Sequence, residues 1–313
     1  LKKNKDLSIQ QEESFVKINK RILASGIIGL AFSSILVACS NGADNENNKQ
    51  LTGNLTSVGS TAMQPFVEEA SKSFMASNPG VQINVQGGGS GQGLTATMND
   101  TADLGNSDIF AEEKEKIDAS KLIDHKAFVV GIAPVVHPQV GVTNLTQQQL
   151  IDIFTGKVKN WKEVGGKDQA IVLVNRSESS GTRATFAKFA LKDNQEFRGN
   201  GAIVEDSSGT VRKIIGQTQG AIGYLAFSYI DNTVKALTLD GVQPTNENVT
   251  TNKWLVWAYE HIYTNANGKN KQLEDAFLKY ILSPEVQNGL VKKLNYIPII
   301  DMKVERDASG KLK

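Results

Sequence analysis

Apolar and polar positions along this chain follow two periods, and the switches between them mark its elements. Leu55-Thr56-Ser57-Val58 reads as a strand and gives way to Gly59-Ser60-Thr61. Met63, Phe66, Val67, Ala70 and Phe74 then recur at helical spacing, which predicts a helix with one apolar face. Pro65 falls in its first turn, where a missing backbone N–H costs nothing. Val81, Ile83 and Val85 alternate as a strand before Gly87-Gly88-Gly89-Ser90-Gly91. Short helices are predicted at 92–98 and 111–116. Residues 127–136 form a long apolar β run, interrupted by Gly131 and Pro134.

The second half repeats the alternation. Leu150, Ile153 and Phe154 mark a helix that Thr146 caps. An apolar strand at 170–174 leads into Arg176-Ser177-Glu178-Ser179-Ser180-Gly181-Thr182. Phe186, Phe189 and Ala190 give one helix face, and Val211, Ile214 and Ile215 another. Residues 221–225 and 255–263 read as strands. Leu273, Phe277, Leu278 and Ile281 predict a late helix that stops before Pro284; Leu290 and Leu294 continue a last one. Such alternation implies an α/β architecture with open sheets. No repeat of solenoid length is present. Ser179-Ser180-Gly181-Thr182 and Ser207-Ser208-Gly209-Thr210 echo each other, and both read as helix N-caps.

Composition narrows the chemistry. A length of 313 residues allows one large or two ordinary domains. With 40% apolar and 21% charged residues, wholesale disorder is excluded. One cysteine excludes an intrachain disulfide framework and a cysteine-clustered metal site. His125, His137 and His261 show no metal-ligand spacing, so neither metal nor cofactor is expected. A net charge of +1 argues against a nucleic-acid binder.

The first segment reads as a targeting signal. Lys17, Lys20 and Arg21 precede an apolar run from Ile22 to Ala38, short for a membrane span but suited to a signal-peptide core. It ends in Leu36-Val37-Ala38-Cys39-Ser40, which resembles a bacterial lipobox, with Cys39 as the lipid attachment point. The polar, Asn-rich stretch to Gln50 reads as a flexible tether. Leu1 in place of Met points to a non-standard start codon or a truncated sequence. Residues 1–38 hold six basic and three acidic residues, so the remainder keeps 28 basic and 30 acidic ones. The positive balance belongs to the signal.

Three segments share one design of strand, small-residue loop and helix: Gly59-Ser60-Thr61, Gly89-Ser90-Gly91 and Ser180-Gly181-Thr182. A helix N-terminus leaves N–H groups unpaired and carries partial positive charge. Glycine permits close backbone approach, and Ser or Thr adds a hydroxyl. Such loops suit oxyanions, and Arg176 stands four residues before Ser180.

These loops, with Gln64-Pro65-Phe66, Asp103-Leu104-Gly105-Asn106-Ser107-Asp108, Leu150 through Lys157, Asn160-Trp161 and Ala221-Ile222-Gly223-Tyr224, resemble the PstS family of phosphate-binding proteins of ABC importers. The resemblance spans nearly all of 51–300. It implies a two-lobe periplasmic-binding-protein-like (type II) α/β fold with the anion clamped between lobes. Lobe I is expected at 51–131 and 255–302, lobe II at 132–254, and a charged, frayed tail at 303–313. It further implies phosphate capture outside the cytoplasm and delivery to an ABC permease with its ATPase, with the chain held at the membrane by lipid on Cys39. By position, Thr61 should give its hydroxyl and N–H, and Ala62 its N–H. Ser90 should give its hydroxyl, and Ser180, Gly181 and Thr182 N–H and hydroxyl donors. Arg176 should make a charge-assisted contact. Ser60 and Ser107 are weaker candidates that could simply shape their loops. Trp254 to Tyr263 departs from the Trp-Arg-Pro pattern of many members at the second crossing.

Asp108 is expected to carry selectivity, the alternative being a cap for the helix expected at 111–116. A carboxylate beside an anion is repulsive unless the ligand keeps a proton for it to accept. Phosphate near neutrality has one and sulfate has none, so Asp108 favours phosphate. The alternatives are another oxyanion such as sulfate or molybdate, and a surface sensor or adhesin that binds phosphate. A hydrolase is disfavoured: no Gly-Lys-Ser/Thr follows Gly91, Gln92 spoils Gly-x-Ser-x-Gly, and no histidine sits in a catalytic context.

Overall fold

The structure is a computed structural model that describes residues 50–313. The expected signal, Cys39 and all of the tether but Gln50 lie outside the described residues. Among the described residues no helix is long and apolar enough to cross a membrane.

The elements begin β1 (Thr52–Gly59), α1 (Gln64–Ser77), β2 (Gly80–Gln86), α2 (Ser90–Met98), β3 (Leu104–Ser107) and β4 (Leu122–Val136). There follow β5 (Asn144–Leu145), α3 (Gln147–Phe154), β6 (Val172–Arg176), α4 (Gly181–Phe189), β7 (Ile203–Glu205), α5 (Ser208–Gln217) and β8 (Ala221–Ala226). The chain ends with β9 (Lys235–Ala236), β10 (Thr238–Leu239), α6 (Asn246–Thr250), β11 (Trp257–Asn265), α7 (Lys271–Ile281) and α8 (Pro284–Val286).

A single path of paired strands runs β2-β1-β3-β11-β4-β8-β6-β7. The long strand β4 joins its two ends. Up to Gly131 it pairs antiparallel with β11, and from Ile132 it pairs antiparallel with β8. Pairing is parallel within each end, β2 with β1 and β1 with β3 on one side, β8 with β6 and β6 with β7 on the other. Parallel strands require crossovers, and helices supply them. The result is a mixed α/β fold of two lobes in which β1, β3 and β6 all end towards one region between them.

Packing ties that region to the core. Phe66 on α1 meets Phe128 edge-on at 4.4 Å between ring centres, and Phe128 lies 4.7 Å from Tyr296. The buried Tyr296 hydroxyl donates to the Ala62 carbonyl at 2.6 Å, so the aromatic cluster fixes the loop after β1. Deleting a ring of this kind costs about 3–5 kcal/mol.

Three local expectations change. The helix expected at 111–116 is only a 3-10 turn, Ala111–Glu113, because Lys114 leaves helical backbone angles after one turn. The helix expected at 92–98 begins earlier, at Ser90, with Gly89 as its cap at φ +89°. The tail is not frayed around Arg306. Its guanidinium lies between the rings of Phe189 and Trp257, 3.8 and 3.9 Å from their centres. It donates to the carbonyls of Trp257 and Leu255 and to Asn252, and burial pushes its pKa down to about 10. The aromatic run at the second crossing packs cleanly. Trp254 donates to the Ile132 carbonyl at 2.9 Å, and Trp257 to Asn252 at 2.9 Å.

Candidate functional site

Strand β6 delivers Arg176 into the interior, where the residue is 1% exposed. Its guanidinium donates to Thr61 Oγ1 and Ser208 Oγ at 3.0 Å each, and to the carbonyls of Asp206 at 2.6 Å and Glu205 at 3.2 Å. Every one of these acceptors is neutral. Among the described residues no carboxylate forms an ion pair with it. Burial lowers its pKa from the ordinary arginine value, with Tyr224 and Asp108 opposing that shift. A buried cation with no carboxylate in direct contact is costly and has room for an anion. The end of β6 is itself braced: the Arg176 N–H donates to Tyr224, whose hydroxyl donates to Glu196, which Arg183 holds at 2.6 Å.

Asp108 follows β3 and is equally buried. Its two oxygens accept from opposite sides of the cleft. Ser60 donates to Oδ1, and Thr182 donates to Oδ2 at 2.6 Å. The Asp108 N–H donates to Ser90 Oγ at 2.9 Å. Asp108 therefore caps no helix with its side chain. It joins the β1 and α2 loops to the start of α4.

The glycines make this approach possible. A Cβ on Gly181 would collide with the Ser90 hydroxyl and come within 3.0 Å of Asp108 Cβ. A Cβ on Gly89 would come within 2.6 Å of the Ser179 carbonyl oxygen. Across the same seam Gly91 donates to the Ser179 carbonyl at 2.9 Å, and Ser179 Oγ donates to the Gly88 carbonyl at 2.9 Å. The two sides are in direct contact, so the cleft is closed.

All nine residues singled out for the expected anion site (Ser60, Thr61, Ala62, Ser90, Asp108, Arg176, Ser180, Gly181 and Thr182) are buried in this one region. Their hydrogen bonds differ in detail from the expectation. The Ala62 N–H donates to Ser60 Oγ at 3.0 Å. Ser180 caps α4, accepting from the Arg183 N–H at 3.1 Å, while its own N–H donates to the Ser177 carbonyl. The N–H groups of Gly181 and Thr182, in the first turn of α4, have no intrahelical acceptor and remain the donors there. Ser107 bonds within its own loop, to Ile109.

Two residues escaped the sequence reading. Ser208 is fully buried and bonded to both Arg176 and Thr61, with 2.9 Å between the Thr61 and Ser208 hydroxyls. The signal was the echoed Ser-Ser-Gly-Thr, and the structure divides its labour: Ser207 caps α5, and Ser208 enters the cleft. Tyr229 is the other. Its hydroxyl donates to the Thr61 carbonyl at 2.7 Å and so spans the cleft.

Comparison with known proteins gives a consistent result. A family model for the PBP superfamily domain matches residues 44–285. The chain is similar to the phosphate-binding protein PstS of Bacillus subtilis, 49% identical over 305 residues that cover 95% of this chain and 99% of the relative. The chain belongs to the PstS family. A structure from Clostridium perfringens, described as a phosphate ABC transporter substrate-binding protein and solved with bound phosphate, is 30% identical at a TM-score of 0.72. It is matched over 79% of this chain and 100% of its own. An ABC-type phosphate transport receptor from Vibrio cholerae, 26% identical, superposes at a TM-score of 0.63 over 78% of this chain and 99% of its own. The PstS relatives are by name binding proteins, and the receptor serves transport.

In this PstS-family chain the cleft offers hydroxyls, helix-start N–H groups, one unpaired cation and one acceptor-only carboxylate. Among the described residues no cluster of three His, Cys, Asp or Glu could hold a metal ion. The arrangement suits a small tetrahedral oxyanion that carries a proton.

Proposed function

We propose that this chain captures inorganic phosphate between its lobes and passes it to the permease of an ABC importer. The observation that carries this reading is Arg176, a cation buried against neutral acceptors, placed in one closed cleft with Asp108. Phosphate oxygens take the positive charge and the N–H groups of Gly181 and Thr182. Thr61, Ser90 and Ser208 turn their hydroxyls to them. Asp108 accepts the ligand's proton, which sulfate lacks. Residues 51–131 with 255–302 make one lobe and 132–254 the other, a division that the change of partner along β4 supports. Phosphate favours the closed arrangement because its donors come from both lobes. Lipid on Cys39 holds the chain on the outer face of the cell membrane, and the cleft performs no catalysis. The names of the Bacillus subtilis and Clostridium perfringens proteins support the ligand. Phosphate uptake by cells that lack the chain tests delivery. Uptake returns with the wild-type chain and not with Arg176→Met. Uptake that is equal with both refutes the reading.

A further inference from the structure

Strand β11 brings a second carboxyl group to the cleft. Glu260 is fully buried, and neither of its carboxyl oxygens has a hydrogen-bond partner among the described residues. Antiparallel pairing of His261 with Ser107 places Glu260 opposite Asp108, one step further along the two strands. Residues opposite one another in such a pair project to the same side of the sheet. Across the other edge of β11, Glu260 pairs with Phe128, an apolar core residue, and the register with β4 shifts between Glu260 and His261. The titratable groups that interact with it are Asp108 and Tyr296, and Tyr296 in turn interacts with Tyr229 and Asp108. Burial first, and the Asp108 carboxylate second, hold the Glu260 acid well above the usual carboxylate range. Burial likewise keeps Tyr296 a neutral phenol.

Two adjacent buried carboxyl groups do not both ionise, since like charges in a dry site repel strongly. A carboxylate has about four lone-pair positions. At Asp108, Ser60 and Thr182 occupy two of them. We infer that Glu260 is a neutral acid that donates its O–H to Asp108, leaving one position on that carboxylate for the ligand's proton. Glu260 thus acts as a positioning residue for selectivity. It holds Asp108 as an acceptor and keeps it from turning away from the ligand. This inference rests on the phosphate reading for its functional part, but the proton on Glu260 can be read without ligand.

Infrared difference spectra of the full chain at neutral pH, without phosphate, test it first. Wild type minus Glu260→Gln should show the C=O stretch of a protonated carboxyl. That band should move to higher wavenumber in Asp108→Asn, where the acceptor is neutral. Phosphate and sulfate affinities give the second arm. Glu260→Leu, which has no donor, should weaken phosphate binding roughly 10-fold and narrow its preference over sulfate. Glu260→Gln keeps an N–H donor and should retain both to within about 3-fold. No protonated band, a band that Asp108→Asn leaves unmoved, or wild-type selectivity in Glu260→Leu overturns the inference. A wild-type chain that binds no phosphate would instead refute the functional reading, and the infrared result would still decide the state of Glu260.

Discussion

Replacing Arg176 with methionine separates what the residue does for the fold from what it does for the ligand. In the closed cleft the guanidinium serves two hydroxyls and two carbonyls. The hydroxyls of Thr61 and Ser208 already lie 2.9 Å apart and can bond each other once it is gone. The Asp206 carbonyl loses its Arg176 donor, at about 1–3 kcal/mol, while the Glu205 carbonyl keeps the Ser177 N–H at 3.2 Å. Against this, a desolvated cation with no carboxylate in direct contact is removed, which relieves several kcal/mol. The two effects offset, so ligand-free stability should change by no more than about 2 kcal/mol. Ligand binding should change far more. A hydrogen bond to a charged group is worth about 1.5–3 kcal/mol, so affinity for phosphate should fall roughly 100-fold. At a phosphate concentration 100 times the wild-type Kd, ligand stabilises the native state by about 2.7 kcal/mol, and the variant by only about 0.4. With about 2–4 °C per kcal/mol for a domain of this size, thermal unfolding with and without phosphate resolves the difference. A variant whose ligand-free Tm collapses while its phosphate-induced shift persists would refute the reasoning and make Arg176 a structural residue.

Other substitutions probe the remaining parts of the site. Gly181→Ala puts a methyl group against Ser90 and Asp108 across the seam; strain of about 1–3 kcal/mol should oppose closure and weaken phosphate roughly 5–150-fold. Small-angle scattering should find this variant open with phosphate present, and a closed form would contradict the claim. Asp108→Asn should lower the ratio of phosphate to sulfate affinity at least about 10-fold; titration calorimetry that returns an unchanged ratio counts against proton recognition. For Glu260, the folded acid keeps its proton at a pH where the unfolded chain has lost it. The native state therefore binds the extra proton, and this residue's contribution to stability falls as pH rises past the ordinary glutamate range. Glu260→Gln does not titrate, so its stability relative to wild type should rise from acid to neutral pH in denaturant unfolding; parallel curves would disprove the assignment.

Much of the cleft is legible in the sequence because its chemistry is local. Small residues between a strand and a helix can be recognised without knowing the fold, and Arg176 and Asp108 sit within such segments. What is not legible depends on distant pairing. Ser208 belongs to a motif whose first serine is an ordinary cap, and only the approach of Thr61 and Arg176 distinguishes the second. Glu260 lies in an aromatic run that reads as plain strand; its meaning comes from the register of β11 against β3. Arg306 stands in a charged tail that resembles solvated chain, until Phe189 and Trp257 enclose it from elements far away in sequence. The 3-10 turn at Ala111–Glu113 failed as a helix for a similar reason, since polar periodicity over six residues gives no apolar face to hold one.

The central claim is that a buried arginine and an accepting carboxylate together select a protonated tetrahedral anion. Titration calorimetry of the full chain with phosphate and with sulfate at neutral pH tests it most directly. The account predicts saturable 1:1 phosphate binding and, under the same conditions, sulfate binding weaker by at least about 100-fold. Equal affinity for the two anions, or no binding of phosphate, would contradict it.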